Sequence, residues 1–349
     1  MTTVGQRRAP TVVIRVDGGG RVGYGHLMRM LGLALTLRTR HRAVVHFAIR
    51  GDAACMALVD RHGFERVTMS DQAYREASED AILIAVARRY PRAVLVVDHP
   101  FAFSADAFST VRKSVSLAVV QSEYEAAWSC DLMVFPAGHH SDDVLRRCAR
   151  RARAGRPCLA GLDFVMLAEQ ALRARATERP PFVALAAGGS DPFGLLPRWR
   201  SLLENAEVGL PIVALAGSGS QHPIDAPAST SSTIQTLPFR HDLLFSARLA
   251  VVAFGVTAYE LVYRRIPTLT AGHSARATDV SDRFAARYGA TRSIGDGRTI
   301  DRERLVAAVR AALDPSALSE VRQRQAGLID GQGTERVADA IVALSRETT

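Results

Sequence analysis

The sequence predicts an α/β protein built as two Rossmann-like parallel-sheet domains facing a cleft, and three observations predict it. Short β-branched runs alternate with longer stretches of helical period, this strand, loop, helix grammar occurs twice, and a polar segment closing in Pro180-Pro181 lies between the two series. A chain of 349 residues accommodates two domains of roughly 150 residues each. With 48% hydrophobic and 23% charged residues it can fill two ordinary cores, which excludes disordered, collagen-like and coiled-coil readings.

The elements follow in order. Thr11 to Val16 is a strand run ending at Asp17-Gly-Gly-Gly20, and Leu27 to Leu37 behind it has helical period. Ala43 to Ile49 reads as strand, Ala53 to His62 and Ala73 to Arg89 as helices, and Ala93 to Asp98, Leu117 to Val120 and Leu132 to Phe135 as strands. Asp142 to Ala154 is a basic amphipathic helix. These make a first domain of residues 1–172 and, after a linker at 173–181, a second at 182–349. In the second, Phe182 to Ala186, Ile212 to Leu215, Leu249 to Ala253 and Pro267 to Thr270 are strands. Leu195 to Asn205, Thr257 to Tyr263, Ile300 to Leu313 and Leu318 to Leu344 are helical, and the Ser, Pro and Ala-rich stretch Gln221 to Thr233 is a surface loop.

Apolar runs such as Ala93 to Val97 are strand-sized, so no membrane span is expected, and the Arg7-Arg8 terminus has too short an apolar stretch for an export signal. Cys55, Cys130, Cys148 and Cys158 form no C-x-x-C pair and have no histidine at zinc spacing. The expectation is reduced thiols in the cytoplasm, with neither a metal site nor a disulfide framework. The net charge of +9 suits small anionic ligands as well as nucleic acid; because the arginines are dispersed, nucleic acid is the less expected partner. Lys113 is the only lysine among 44 basic residues, a signature of GC-rich coding before it is one of function.

Ligands of parallel sheets bind beyond the carboxyl ends of the strands, so the chemistry is sought in the loops there. Asp17-Gly-Gly-Gly-Arg-Val-Gly-Tyr-Gly-His26 carries five glycines within eight residues, which admits close backbone approach to a ligand at a helix N-terminus. It lacks the Gly-Lys-Ser/Thr of a P-loop and fits G-x-G-x-x-G only loosely, and the second strand ends Ala48-Ile-Arg50 without the acid that NAD would need. His26, where loop meets helix, is a candidate general base, with Asp17 or Asp98 to orient it. Asp98-His-Pro100 offers a carboxylate and an imidazole at a strand end, or simply a capped turn. Gly188-Gly-Ser-Asp191 offers amides and Ser190 to phosphate oxygens, or a tight turn. Gly255-Val-Thr-Ala-Tyr-Glu260 suits a diphosphate at a helix N-terminus with ribose on Glu260, or a capping box from Thr257 to Glu260.

These pieces, Arg15-Val-Asp-Gly18 with Gly23-Tyr-Gly-His-Leu-Met-Arg29, then Val97-Asp98, Gly188-Gly-Ser-Asp-Pro192 and Gly255-Val-Thr-Ala-Tyr-Glu260 ahead of Pro267, resemble a known family over residues 11 to about 290. It is the UDP-2,4-diacetamido-2,4,6-trideoxy-altropyranose hydrolases of the pseudaminic-acid pathway, within the GT-B glycosyltransferase superfamily. The resemblance implies a GT-B-like fold with a UDP-sugar in the cleft. It makes His26 the catalytic base and puts the nucleotide-sugar on Gly23, Gly25, Arg29, Gly188, Gly189, Ser190, Gly255, Val256, Thr257 and Glu260. No metal and no cofactor besides the UDP-sugar substrate is called for.

The sequence departs from the family at sugar-side positions. No tyrosine follows Asp98 in Asp98-His-Pro-Phe101, Arg276-Ala277 stands where the family carries Asn-Gln, and Gly161-Leu-Asp-Phe-Val-Met-Leu167 replaces a tyrosine- and arginine-rich stretch. The expectation is therefore an inverting glycosyltransferase acting on a UDP-sugar, with UDP-glucuronic acid one candidate donor. Its acceptor would be a small molecule, a nucleobase such as cytosine or another natural-product intermediate. A UDP-sugar hydrolase is the first alternative, and a non-catalytic nucleotide-sugar or nucleic-acid binding protein the second.

Overall fold

The computed structural model describes residues 9–19, 23–67, 77–217, 219 and 234–347. Among them two wholly parallel sheets are formed. The first runs β3-β2-β1-β4-β5-β6-β7, from β1 (Thr11–Asp17), β2 (Val44–Arg50), β3 (Glu65–Arg66), β4 (Val94–Asp98), β5 (Ser116–Val120), β6 (Leu132–Phe135) and β7 (Cys158–Ala160). The second runs β10-β9-β8-β11-β12-β13, from β8 (Val183–Ala186), β9 (Ile212–Ala216), β10 (Gln235–Pro238), β11 (Leu249–Ala253), β12 (Thr268–Gly272) and β13 (Arg292–Asp296). Central strands such as Val94-Leu-Val-Val97 are apolar at every position because helices cover both faces of a parallel sheet.

The strand order decides where a site can form. From β1 the chain goes outward to β2 and β3 and then returns to the other side as β4; from β8 it does the same before returning as β11. Loops leaving the neighbouring strands at such a reversal diverge and leave a crevice. The loops after β1, β4, β8 and β11 are the four singled out in the sequence.

The two halves exchange packing elements. The last helix, Gly333–Glu347, returns to the first half, where Val337, Ala338 and Ile341 join the core around β1 and the Gly25–His41 helix, and Arg40 pairs with Glu335 and Asp339 at 3.0 and 3.1 Å. Val165 and Leu167, just after the first sheet, are buried in the core of the second.

Several elements differ from expectation. The single helix expected from Leu318 to Leu344 is two, Pro315–Gln325 and Gly333–Glu347, because Gly327 and Gly331 take φ of 73° and 79°, outside the helical region. The helix expected from Ala73 is described only from Glu79 to Arg89, capped by Ser78; residues 73 to 76, like the loop at 221 to 233, lie outside the described residues. The helix Ala275–Tyr288 and strand β13 were not expected at all. The expectation of four reduced thiols is also corrected. Cys148 and Cys158 are joined, tying the helix Asp142–Arg153 to β7 with their Cα atoms 5.3 Å apart, a pairing that helix and strand bring together in space and that spacing alone does not reveal. Cys55 and Cys130 are free and buried.

Candidate active site

His26 is the second residue of the helix Gly25–His41, which starts where the glycine loop ends. Asp98 closes β4, the strand beside β1, and is fully buried. The two meet, His26 Nδ1 lying 2.7 Å from Asp98 Oδ1. Arg29, one turn further along the helix, grips the same carboxylate with Nη2 on Oδ1 and Nε on Oδ2, each at 2.5 Å, while its Nη1 donates to Gln121 Oε1. Burial alone would raise the Asp98 carboxyl, but the charges of Arg29 and His26 and their hydrogen bonds outweigh it and hold it well below the ordinary carboxylate range. An ionised Asp98 can only accept, so His26 carries its proton on Nδ1 and its Nε2 lone pair is left for the cavity that the ring lines.

Asp17, the other candidate to orient His26, does not reach it. Arg15 is fully buried inside the sheet and binds Asp17, which also takes His99 Nε2 at 2.9 Å and the Arg50 amide at 2.8 Å. His99 is the imidazole Asp17 orients, and its other nitrogen accepts from the Phe101 amide at 3.3 Å. Asp17, Glu79 and His99 converge within 4.8 Å, close enough to suggest a cation. Arg15 already stands among them, with Glu79 at 2.6 Å and His99 at 3.1 Å, so a guanidinium supplies the positive charge there.

The glycine loop faces the second half across the cleft. A methyl placed on Gly23 would stand 3.8 Å from Ser190 Oγ, one on Gly25 would stand 3.9 Å from Val256, and one on Gly189 would press on Tyr24 at 3.3 Å. Gly188 has φ of 88° and Ser190 is buried. Asp191 is spent on the next helix, accepting from the Leu195 and Leu196 amides at 2.8 and 2.9 Å.

The helix Val256–Tyr263 begins at Gly255, not at Thr257, and has no side-chain cap; Thr257 sits in its first turn. The capping-box alternative fails because Glu260, almost fully buried, turns instead to His241 Nε2 at 3.2 Å. The Gly25 helix is likewise uncapped, and neither has an acid in its first turn. Helices starting at Ala53, Glu79, Ala105, Asp142, Arg302 and Pro315 are all capped by Ser or Asp. Open amide groups at these two helix starts, both of which line the cavity, are what an anion can complete.

The cavity between the halves has a volume of about 830 Å³ and is lined by His26, Arg29, Gly255, Val256 and His99 among others, room for a nucleotide-sugar or drug-sized ligand. Arg29 was expected on the nucleotide-sugar; its guanidinium is spent on Asp98 and Gln121 instead. Sequence reasoning missed Gln121, His139, Tyr259 and His241. The Gly138 amide donates to Tyr259 Oη at 3.4 Å, and His139 Nδ1 shares a hydrogen bond with the same hydroxyl at 2.7 Å. Burial, then the charges of His140 and Arg283, push the His139 pKa down to about 3, so the ring is a neutral group at pH 7. Gln121 directly follows β5 and His139 lies four residues after β6, so the strand-end rule used for the other loops would have found both.

Two such halves with a ligand-sized cleft between them define a two-domain parallel α/β architecture. The chain matches no protein-family model and no curated protein. Among solved structures it is similar to the glycosyltransferase of kitacinnamycin (TM-score 0.63, 16% identity, 97% of this chain and 99% of that one). It is similar also to Acinetobacter baumannii MurG (0.65, 13%, 96% and 99%) and to UDP-GlcNAc 2-epimerase from Neisseria meningitidis bound to UDP-GlcNAc (0.63, 9%, 95% and 100%). At these identities the likeness is one of fold, and the fold is GT-B.

Proposed function

We propose that the chain is an inverting glycosyltransferase that uses a UDP-sugar donor and a small acceptor, with His26 as general base. The observation that carries the reading is the His26–Asp98 pair opening on a cavity that is also lined by the uncapped start of the Val256–Tyr263 helix. The base and the anion site line the same cavity, with Gly25 beside Val256 where the two halves approach. The similar structures lend support: several are glycosyltransferases, one of them VinC in complex with dTDP, and the S. aureus MnaA structure holds UDP.

In this mechanism His26 Nε2 takes the proton of the acceptor's O–H or N–H as that atom bonds to the anomeric carbon. The bond from that carbon to the diphosphate oxygen breaks, and UDP leaves with the electron pair. Asp98 keeps the tautomer and stabilises the imidazolium that forms. Amides of 188–190 and 255–257 meet the charge growing on the diphosphate, with Gly23 and Gly25 leaving room on the opposite side. The buried carboxylate of Glu260 is assigned the ribose hydroxyls, with His241 holding it in place. One displacement inverts the anomeric configuration. A nucleobase such as cytosine has the N–H and adjoining carbonyl that His26 and the neutral His139 could engage as acceptor and donor.

Hydrolysis is the second reading, favoured by the resemblance of the loop carrying His26 to a hydrolase, and it needs only water in the acceptor's place. The test is UDP release from a panel of UDP-sugars with and without small acceptors including cytosine, with a dTDP-sugar as control. Release only with an acceptor supports transfer. Release in buffer alone, lost in His26→Ala, makes the chain a hydrolase, and binding without any release makes it a non-catalytic binder.

A further inference from the structure

One corner of the cavity is not used by that mechanism. His140 is only 2% exposed; its Nδ1 stands at ion-pair distance, 3.5 Å, from Glu123 Oε1, whereas its Nε2 has no hydrogen-bond partner among the described residues. Buried polar groups are nearly always satisfied, so an unsatisfied ring nitrogen in a cavity wall marks a place that a ligand completes. On the same wall stands Arg276, in the first turn of the helix Ala275–Tyr288. It is exposed to the cavity and makes no hydrogen bond or ion pair with any described residue, although its charge is felt by Glu123 and His139. The other cavity guanidiniums are engaged, Arg29 by Asp98 and Arg283 by Asp279. That leaves Arg276, among the described residues, as the lining arginine without a paired carboxylate, with Glu123 the only carboxylate among the lining residues.

The position of Arg276 says which part of a ligand it meets. The loops Gly255-Val256 and Ser274-Ala-Arg276 follow β11 and β12, which are adjacent strands paired Val252 to Thr270. Adjacent strands lie about 4.8 Å apart. A diphosphate at the first loop therefore leaves the attached sugar beside the second, one group further on. The diphosphate has its own partners in the uncapped helix start, whereas Ser274 already fills the Ala277 amide at the Ala275 helix. What remains at Arg276 is a planar fork of free donors, the partner that a carboxylate accepts from in bidentate fashion.

We infer that Arg276, with His140 beside it, forms a subsite for a carboxylate on the transferred sugar, and that the donor is a nucleotide uronate rather than a neutral hexose. The inference rests on the transferase reading and narrows its substrate class. His140 and Glu123 then meet a ring hydroxyl of the same sugar as donor and acceptor.

Calorimetric titration with UDP, UDP-glucose and UDP-glucuronic acid, without acceptor, on the wild type, Arg276→Gln and Arg276→Lys tests it. A charge-assisted bond of this kind corresponds to a preference of roughly 10- to 100-fold for the uronate over UDP-glucose in the wild type. Arg276→Gln is expected to bring that ratio near one and leave UDP itself bound within about twofold, and Arg276→Lys to keep part of it, since lysine retains the charge without the fork. A wild-type ratio near one, or a ratio unchanged in Arg276→Gln, overturns the inference while UDP binding upholds the nucleotide reading. Equal weakening of all three ligands by Arg276→Gln also overturns it, by placing Arg276 on the diphosphate. If the carboxylate belongs to the acceptor, donors bind alike in both proteins and only the acceptor's KM rises in Arg276→Gln, which overturns the assignment to the sugar. Absence of UDP binding in the wild type removes the transferase reading and the subsite together.

Discussion

At the scale of single residues, Asp98 holds both the Arg29 guanidinium and the His26 imidazole, and the account depends on both. Changing Asp98 to Asn keeps the shape but removes the charge that fixes the His26 tautomer, so turnover should fall roughly 10²- to 10⁴-fold. UDP affinity should stay near the wild-type value because the nucleotide is assigned to the other half; an unchanged turnover number would remove Asp98 from the mechanism. His139 gives a second prediction. Its pKa is pushed down to about 3 in the folded chain, so the unfolded chain binds a proton that the folded one refuses once pH drops below about 6.5. The stability is fully present above that pH and is lost toward pH 3, at about 1.4 kcal/mol per pH unit for one group. His46 and His273, also lowered by burial, add to the slope. His139→Gln should flatten the fall in urea midpoint between pH 6.5 and 4.5 by one group's share, and an unaltered slope would contradict this. His26 and Asp98 were both legible in the sequence because each ends or follows a strand run. The choice of Asp98 over Asp17 was not, since both end neighbouring strands and it is the buried Arg15 and His99 that draw Asp17 away.

At the scale of elements, what a helix start lacks is as informative as what it carries. The Val256 helix begins on Gly255, whose φ of 177° is ordinary extended backbone and whose added Cβ would meet nothing within 4 Å. Gly255→Val should therefore change stability by only about 0.5 kcal/mol, while filling the space before the open amides and weakening UDP binding at least about tenfold. Full UDP affinity in this variant would show that the diphosphate lies elsewhere. The sequence pattern displayed the loop and the helix and left a capping box from Thr257 to Glu260 as the alternative to a nucleotide site, because Thr followed by Glu three residues on is the common capping signal. The signal fails here for a tertiary reason, the pull of His241 on Glu260. The Ala275–Tyr288 helix was missed since its exposed face is charged and only Ala277, Ser281 and Phe284 are buried, a stripe too thin to read by period.

At the scale of the whole molecule, the duplicated strand grammar was enough to indicate two parallel sheets, and the loops after β1, β4 and β11 line one cavity while the loop after β8 packs against the glycine loop. The destination of the last helix was not legible. Its apolar stripe says that it packs, not on what, and it packs on the opposite half from the one it follows in sequence. Ile341→Ala, near the end of the chain, should thus cost about 2–5 kcal/mol by opening a cavity against the first half's core. A thermal or urea midpoint unchanged by it would contradict that packing. The central claim concerns what this arrangement does, and one comparison addresses it most directly: the rate of UDP release by wild type and His26→Ala with the best donor and acceptor of the panel. The account predicts a loss of about 10²-fold or more in His26→Ala with UDP still bound normally. An equal rate in the two proteins would contradict it.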